Sequence, residues 1–506
     1  MNCLRFIINK SSRKLFRNVI KMRYSNINST LTYQDAIEAL NNLQSNAAYL
    51  RNAPKHDAIV NKNLEETEKY LSRSGINIEQ LDKLSIIHVA GTKGKGSTCA
   101  YVETILRQHG YKTGLYTSPH LVSVCERIMI NGRPINEEKF ANYFWIIYEK
   151  LISQRSYEND MPAYFKFLTI MMFHIFINAS IDVAVIEVGI GGEYDCTNII
   201  RNPVCVGISK LDLDHTSLLG DNINSIAFQK SGIFKNNTPA FTVPQLSEAM
   251  SVLYDRANDK NCILHIVPPI SNYSFDKNPP TLGIAANIQY YNASLAIQLS
   301  KAWLSARNNN NKFNNNTNNE KVSTININKV ELALANCRWP GRTQLLRGNY
   351  INFYLDGAHT IESIKGCIEW FINQTINSKR KRILMFNVMG NRDARIFLNI
   401  LKPLNFHSAF FVPNVSGIGD NLDQDNKLYP ATEQTNGCEI NCNYWGDNGI
   451  YAPSVNQALK LIKEKYQLNN GISDDCKIEL LITGSLHLVG AALSVLDPNL
   501  TMSTNF

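Results

Sequence analysis

The chain has 506 residues, 44% of them hydrophobic, and a formal net charge of +8. That length exceeds what one hydrophobic core organises, so two or three domains are expected. The charge does not mark a nucleic-acid binder, because residues 1–34 hold seven basic side chains and no acid, leaving 44 basic against 43 acidic residues in the remainder.

The opening segment places Leu4, Phe6, Ile7, Ile8, Leu15, Phe16, Val19 and Ile20 between Arg5, Lys10, Arg13, Lys14, Arg17, Lys21 and Arg23. It is Arg/Lys-rich, acid-free and amphipathic, and resembles a mitochondrial presequence. Translation from Met22 would remove most of it and leave a cytoplasmic form. The longest apolar stretch, Phe167 to Ile177, is interrupted by Thr169 and His174 and is too short to span a bilayer, so no transmembrane segment is expected. Eleven cysteines are scattered without a CxxC pair, which fits a reduced compartment.

Tyr33 to Leu50 and Leu64 to Ser72 read as amphipathic helices. Strand-like runs follow at Ser85 to Ala90, Thr113 to Thr117, Asp182 to Val188 and Val204 to Ser209, separated by helical patterning. Such alternation predicts a parallel sheet with helices on both faces and ligand sites at the carboxyl ends of its strands. Asn308 to Asn319 is almost pure Asn, too polar to repay its ordering entropy, and reads as an exposed insertion near a domain boundary. A second, smaller α/β series follows, with strands at Asn352 to Leu355, Arg382 to Phe386, Ala409 to Val412 and Ile478 to Thr483. The resulting division is a presequence over 1–34, a larger α/β domain over 35–305, an Asn-rich linker over 306–325 and a C-terminal domain over 326–506.

Gly91-Thr92-Lys93-Gly94-Lys95-Gly96-Ser97 stands between an apolar run and an apolar-periodic one, the strand-loop-helix context of a phosphate-binding loop. Its glycines let backbone N–H groups face a polyanion, Lys95 adds a mobile charge, and the following helix offers its positive end. The loop departs from G-x-x-x-x-G-K-[ST]: the first Gly would fall at Val89, and the metal-binding hydroxyl at Gly96. Metal ligands must therefore come from elsewhere.

Further segments at strand ends carry oxygen or imidazole groups: Thr117-Ser118-Pro119-His120-Leu121, Glu187-Val188-Gly189-Ile190-Gly191-Gly192, Asp214-His215-Thr216 and Asp356-Gly357-Ala358-His359-Thr360. Taken in order, GTKGKGST, TSPHL, EVGIGG, DHT, QKSGIFK, WPGRTQ, LDGAHT and TGSLHLVG resemble the folylpolyglutamate synthases of the Mur ligase superfamily over about residues 32–495. The segments YQDAIEALNNLQSNAAYL and LSRSGINIEQLDKLSIIHVAGTKGKGSTCA look like the eukaryotic members. Thr360 and Lys93 replace Asn residues common in bacterial members, again as in eukaryotic ones.

The resemblance implies a P-loop parallel-sheet ATPase domain followed by a Rossmann-like α/β domain. It also implies transfer of L-glutamate to the γ-carboxyl of a folate's terminal glutamate, with ATP becoming ADP and phosphate. On it, Ser118, Glu187 and His215 are Mg²⁺ ligands, and Lys230 is the lysine whose carbamylation supplies a ligand for a second Mg²⁺, with a monovalent cation as a further occupant. Thr92, Lys93, Gly94, Lys95, Gly96 and Ser97 hold the phosphates, Asn292 lies near the adenine, and Arg342 and Asp356 reach ATP from the linker and second domain. Lys95, Lys230 and His359 are the catalytic candidates, and Ser485 lines the cleft near glutamate or phosphate. Folate, glutamate and ATP are the implied partners of a monomer in mitochondrion and cytoplasm. The related dihydrofolate synthase reaction is the alternative. A GTP-type switch lacks support because Ser209-Lys210-Leu211-Asp212 departs from [NT]-K-x-D at its first residue.

Overall fold

A computed structural model describes residues 31–43, 62–314, 325–388, 392–418, 431–468 and 478–506. The expected presequence, except its last four residues, and the 44–50 end of the first expected helix lie outside them. The first sheet contains β1 (Ile86–Ala90), β2 (Thr113–Tyr116), β3 (Ile128–Ile130), β4 (Arg133–Pro134), β5 (Val183–Glu187), β6 (Cys205–Ile208), β7 (Ala240–Thr242) and β8 (Leu264–Ile266). Its spatial order is β4-β3-β2-β5-β1-β6-β7-β8. Strands β2 to β8 in that row are parallel, whereas β3 and β4 pair antiparallel at the edge. Chain order reverses direction about β1, which makes its carboxyl end the topological switch point.

The strands alternate between two apolar layers, as period-2 side chains dictate. Ile86, Ala184 and Ile186 face helices Tyr33–Asn41, Lys62–Ser74, Glu137–Ser153 and Tyr164–Ala179. Ile87, Val89, Val183 and Val185 face helices Lys95–Gln108, Ile288–Asn314 and Ile327–Asn336. Each fully buried Ile, Leu or Phe in these layers contributes roughly 1.5–3 kcal/mol over its exposed state.

The second sheet contains β9 (Gln344–Arg347), β10 (Ile351–Leu355), β11 (Lys381–Phe386), β12 (Ser408–Phe411), β13 (Gly449–Tyr451) and β14 (Ile478–Thr483), in the order β13-β12-β11-β14-β10-β9. Only β9 runs antiparallel. Phe353, Leu355, Ile383 and Leu480 pack on helices Val455–Lys465 and Leu486–Leu496, and Tyr354, Leu384 and Leu481 on helices Ile361–Thr375 and Ala394–Leu401. Leu121 and Val122, from the loop after β2, insert into the former layer and tie the two sheets together.

Two boundaries differ from expectation. The helix beginning at Ile288 continues to Asn314, through the first part of the Asn tract expected to be an unpacked insertion. Helix Ile327–Asn336, expected in the second domain, buries Val330, Ala333 and Leu334 against the loop-helix side of the first sheet. Its apolar positions fit that surface, so the second sheet's own chain starts only after Cys337 and the WPGR segment.

Candidate active site

The phosphate loop follows β1 at the switch point. Gly91 and Gly94 have φ of 143° and 87°, and a Cβ at either would strike Ser209 or Asn292, so glycine is required for both conformation and space. The Thr92 and Lys93 amides both donate to the Lys210 carbonyl at 3.0 Å. Their backbone donors are therefore committed, and the anion cradle narrows to the amides opening helix Lys95–Gln108, where unpaired N–H groups and the helix dipole converge. Asn292 is 1% exposed, donates to Gln289 Oε1 at 3.0 Å, and keeps a buried Oδ1 without a partner beside Gly94.

Lys95 Nζ lies 3.9 Å from Glu187 Oε1, and the Ser118 amide donates to Glu187 Oε2 at 3.0 Å. Glu187 ends β5 and is buried. Burial pushes its pKa up, while Lys95, the Ser118 amide, Arg342 and Arg127 pull it down. An isolated buried carboxylate held among cations and a turn amide, next to an anion cradle, is an oxygen donor suited to a hard divalent ion. His215 stands across the loop with φ of 52°, just ahead of the short helix Thr216–Leu219. Desolvation lowers its pKa to about 4, against Asp214, with Lys95, Lys230 and Arg392 adding to the fall, so the imidazole is neutral and free to ligate. Among the described residues no three His, Cys, Asp or Glu side chains form a metal-binding group. The expected set offers only Glu187 and His215 of those types, so a hydroxyl, phosphate oxygens and a modified lysine would have to complete it.

Lys230 is the last residue of helix Ile223–Lys230, yet it is 3% exposed and donates to the Gly91 carbonyl at 2.8 Å. This rules out a surface lysine. Burial and then Lys95 lower its pKa to about 7, leaving a large neutral fraction at physiological pH. A neutral amine is what attack on carbon dioxide requires.

The cleft between the sheets is bridged by charge. Asp214 accepts from Lys93 Nζ at 3.1 Å and from Arg392 Nη2 at 3.1 Å. Lys93 Nζ also lies 2.9 Å from His359 Nε2, while His359 Nδ1 lies 2.7 Å from the Gly357 carbonyl. The ring is thus the neutral tautomer that donates through Nδ1 and accepts through Nε2. Burial lowers its pKa, against Asp214, and Lys93 adds to the drop. Burial alone would raise the Asp214 carboxyl, but His359, Lys93 and His215 hold it well below the usual carboxylate range. Thr360, not His359, caps helix Ile361–Thr375, which frees the imidazole for the cleft.

Asp356 follows β10 and accepts from the Thr343 amide at 2.8 Å and the Ala358 amide at 2.9 Å. Burial raises its pKa, opposed first by Arg342. Arg342 acts on both Asp356 and Glu187, one from each sheet. Ser485 is buried and caps helix Leu486–Leu496, so its hydroxyl is engaged structurally at the cleft's edge.

Sequence reasoning missed Asp214, Arg392 and Arg127. Asp214 lay inside the DHT motif, where only His215 was singled out. Arg127 donates to His120 Nδ1 at 2.8 Å and sits over the Tyr164 ring; Arg392 is one arginine in a loop, and no local pattern distinguishes either.

No protein-family model matches the chain. It is 38% identical to the human mitochondrial folylpolyglutamate synthase, with 93% of each chain covered. It is 37% identical to the Candida albicans folylpolyglutamate synthase, covering 93% of this chain and 97% of that one. The Mycobacterium tuberculosis folylpolyglutamate synthase complexed with ADP superposes with a TM-score of 0.67 at 22% identity, over 92% of this chain and 98% of that one. The two-sheet fold and the loop at its switch point define an ATP-dependent ligase of Mur ligase-like architecture. Within that class, the chain belongs to the folylpolyglutamate synthase family.

Proposed function

We infer that the chain adds L-glutamate to the γ-carboxyl of folylpoly-γ-glutamate, consuming ATP and releasing ADP and phosphate. The observation that carries this reading is the buried Glu187 carboxylate at the head of the phosphate loop, 3.9 Å from Lys95 and under the influence of Arg342 from the linker. A carboxylate is a poor electrophile, so its activation as an acyl phosphate precedes attack by the glutamate amine. No protein nucleophile is needed, and positioning with charge stabilisation supplies the catalysis.

In this reading the Gly94 to Ser97 amides and Lys95 hold the phosphates, with the Thr92 and Lys93 side chains at their margin. Asn292 takes the adenine side, and Arg342 and Asp356 approach from the linker and second sheet. Mg²⁺, when bound, would neutralise phosphate charge and polarise the transferring phosphoryl group. Ser118, Glu187 and His215 would hold one ion, and Lys230 as its carbamate a second, with a monovalent cation nearby. Carbamate formation joins the neutral Lys230 nitrogen to carbon dioxide and releases one proton. His359, neutral and held by Lys93 at Nε2, would take the proton of the incoming ammonium group once Lys93 turns to the phosphates, with Ser485 at the edge of the same cleft.

The protein acts as a monomer, mitochondrial when made from Met1 and cytoplasmic when made from Met22. No helix among the described residues is long and apolar enough to cross a membrane. The deciding assay supplies ATP, glutamate and either tetrahydrofolate or dihydropteroate, and reads product masses. Successive glutamate additions to tetrahydrofolate are expected. Turnover confined to dihydropteroate would overturn the assignment.

A further inference from the structure

The phosphate loop carries Gly96 where a hydroxyl side chain ordinarily stands, and what occupies that space belongs to another segment. A Cβ at Gly96 would lie 3.3 Å from Trp339 Nε1, 3.5 Å from Trp339 Cζ2 and 3.4 Å from Glu187 Oε2. A side chain at Gly96 would meet the indole at its first carbon, so Gly96 lets Trp339 pack close against the loop. Trp339 is half-buried, its ring packed on the loop-helix side of the first sheet. Among the described residues, no side chain or carbonyl accepts from its indole N–H. Glu187 Oε2 flanks the same space, but it already accepts from the Ser118 amide and no hydrogen bond joins it to the indole, so an anion seated on the loop supplies the N–H with its acceptor.

Trp339 also lies three residues before Arg342, whose guanidinium faces Glu187 and Asp356. The linker thus aims a neutral and a charged donor at the side of the loop nearest Glu187. On the reading above, Glu187 holds the metal ion that bridges the outer phosphates, so that side faces the terminal phosphoryl.

Resting on the ligase reading above, we propose that Trp339 is a positioning residue whose indole N–H donates to the terminal phosphoryl group of ATP over Gly96. It fills the volume of the missing hydroxyl and contributes a donor, leaving the metal to other ligands. Because Trp339 belongs to the linker, the terminal phosphoryl is gripped by the peptide that joins the sheets.

The test is calorimetric titration of the full chain with the non-hydrolysable ATP analogue AMPPCP and with ADP, both with Mg²⁺. Trp339→Phe keeps a ring and removes the N–H; it should weaken AMPPCP about tenfold, as loss of a hydrogen bond to a charged group does, and leave ADP within about twofold. Trp339→His, which restores a ring N–H, should recover part of the AMPPCP affinity. Equal weakening of both nucleotides, or unchanged AMPPCP affinity, overturns the proposal. Should the Phe variant fail to fold, Gly96→Ala presses on the indole from the loop side, and an unchanged AMPPCP-to-ADP ratio there overturns it equally. Failure of the unaltered protein to bind either nucleotide would instead sink the ATP reading itself.

Discussion

Lys93 Nζ and His359 Nε2 lie 2.9 Å apart although 266 residues separate them in the chain. The contact joins the phosphate loop of the first sheet to the strand end after β10 of the second, and Asp214 and Arg392 extend it into a four-residue bridge. Lys93, Asp214 and His359 are partly buried and Arg392 is exposed, so water screens the first three less than it would a surface pair.

Cutting this bridge should loosen the cleft. Arg392→Ala and His359→Ala are each expected to lower kcat by roughly 10–100-fold, since small misplacements across a two-domain site are costly. Small-angle scattering with AMPPCP bound should give a larger radius of gyration than the unaltered protein. Unchanged scattering in both variants would show that Leu121 and Val122 hold the sheets together without it.

Lys95→Ala should lower ATP turnover by roughly 10²–10³-fold, the loss typical of a donor to developing phosphate charge. The Lys95 side chain touches Glu187 but contributes nothing to either apolar layer. The melting temperature is therefore expected to stay within about 2 °C. A larger drop would mean the lysine supports the fold.

Lys230 makes the activity sensitive to both pH and carbon dioxide. Its amine, lowered to about 7 by burial and by Lys95, carries a proton below that value and cannot attack carbon dioxide. Above it the neutral form dominates and the carbamate can form. Enzyme stripped of bicarbonate should lose activity, regain it on adding bicarbonate at pH 8, and regain little at pH 6. Carbon-13 bicarbonate should give a carbamate signal that Lys230→Arg abolishes; a persisting signal would assign the carbamate elsewhere.

Away from the site, Asp160 is a test of the fold. Its side chain is fully buried and accepts from Lys69 at 2.8 Å, Arg73 at 2.6 Å, Tyr70 at 2.9 Å and the Ser156 amide at 2.9 Å. Burial would raise this carboxyl, but those donors outweigh it and hold its pKa well below the ordinary carboxylate value. A depressed folded pKa gives stability that is present above the unfolded value, about 3.9, and lost as pH falls beneath it. Asp160→Asn should cost about 2–4 kcal/mol at pH 7. In urea titrations that difference should shrink below about pH 4.

The strands that bear the site were readable because β1, β5, β6, β10, β12, β14 and the last four residues of β11 are buried on both faces and stand out as apolar runs. The short strands β3, β4, β7, β8, β9 and β13, at or beside the sheet edges, were not: five of them have only two or three residues, and β9 begins and ends on a polar one. Gly94 was legible from its neighbours in the chain. Asp214 with Arg392, or Gly96 with Trp339, was not, because each partnership exists only after the two sheets have come together. Helix Ile327–Asn336 carried an amphipathic pattern, but nothing in that pattern says which of two sheets will receive it.

The pairing of β1 acts as a ruler for the whole reaction. Val89 lies opposite Glu187 on one side, and Ala90 opposite Ile208 on the other. Five residues of one strand thus set how far the phosphate loop, the Glu187 carboxylate and the stretch leading to Asp214 and His215 project beyond the sheet. A deletion anywhere in that strand would retract one of these ends relative to the others and abolish the chemistry while leaving every named side chain present. Segments remote from β1 stand outside that measurement, and can vary without changing where the reacting groups meet.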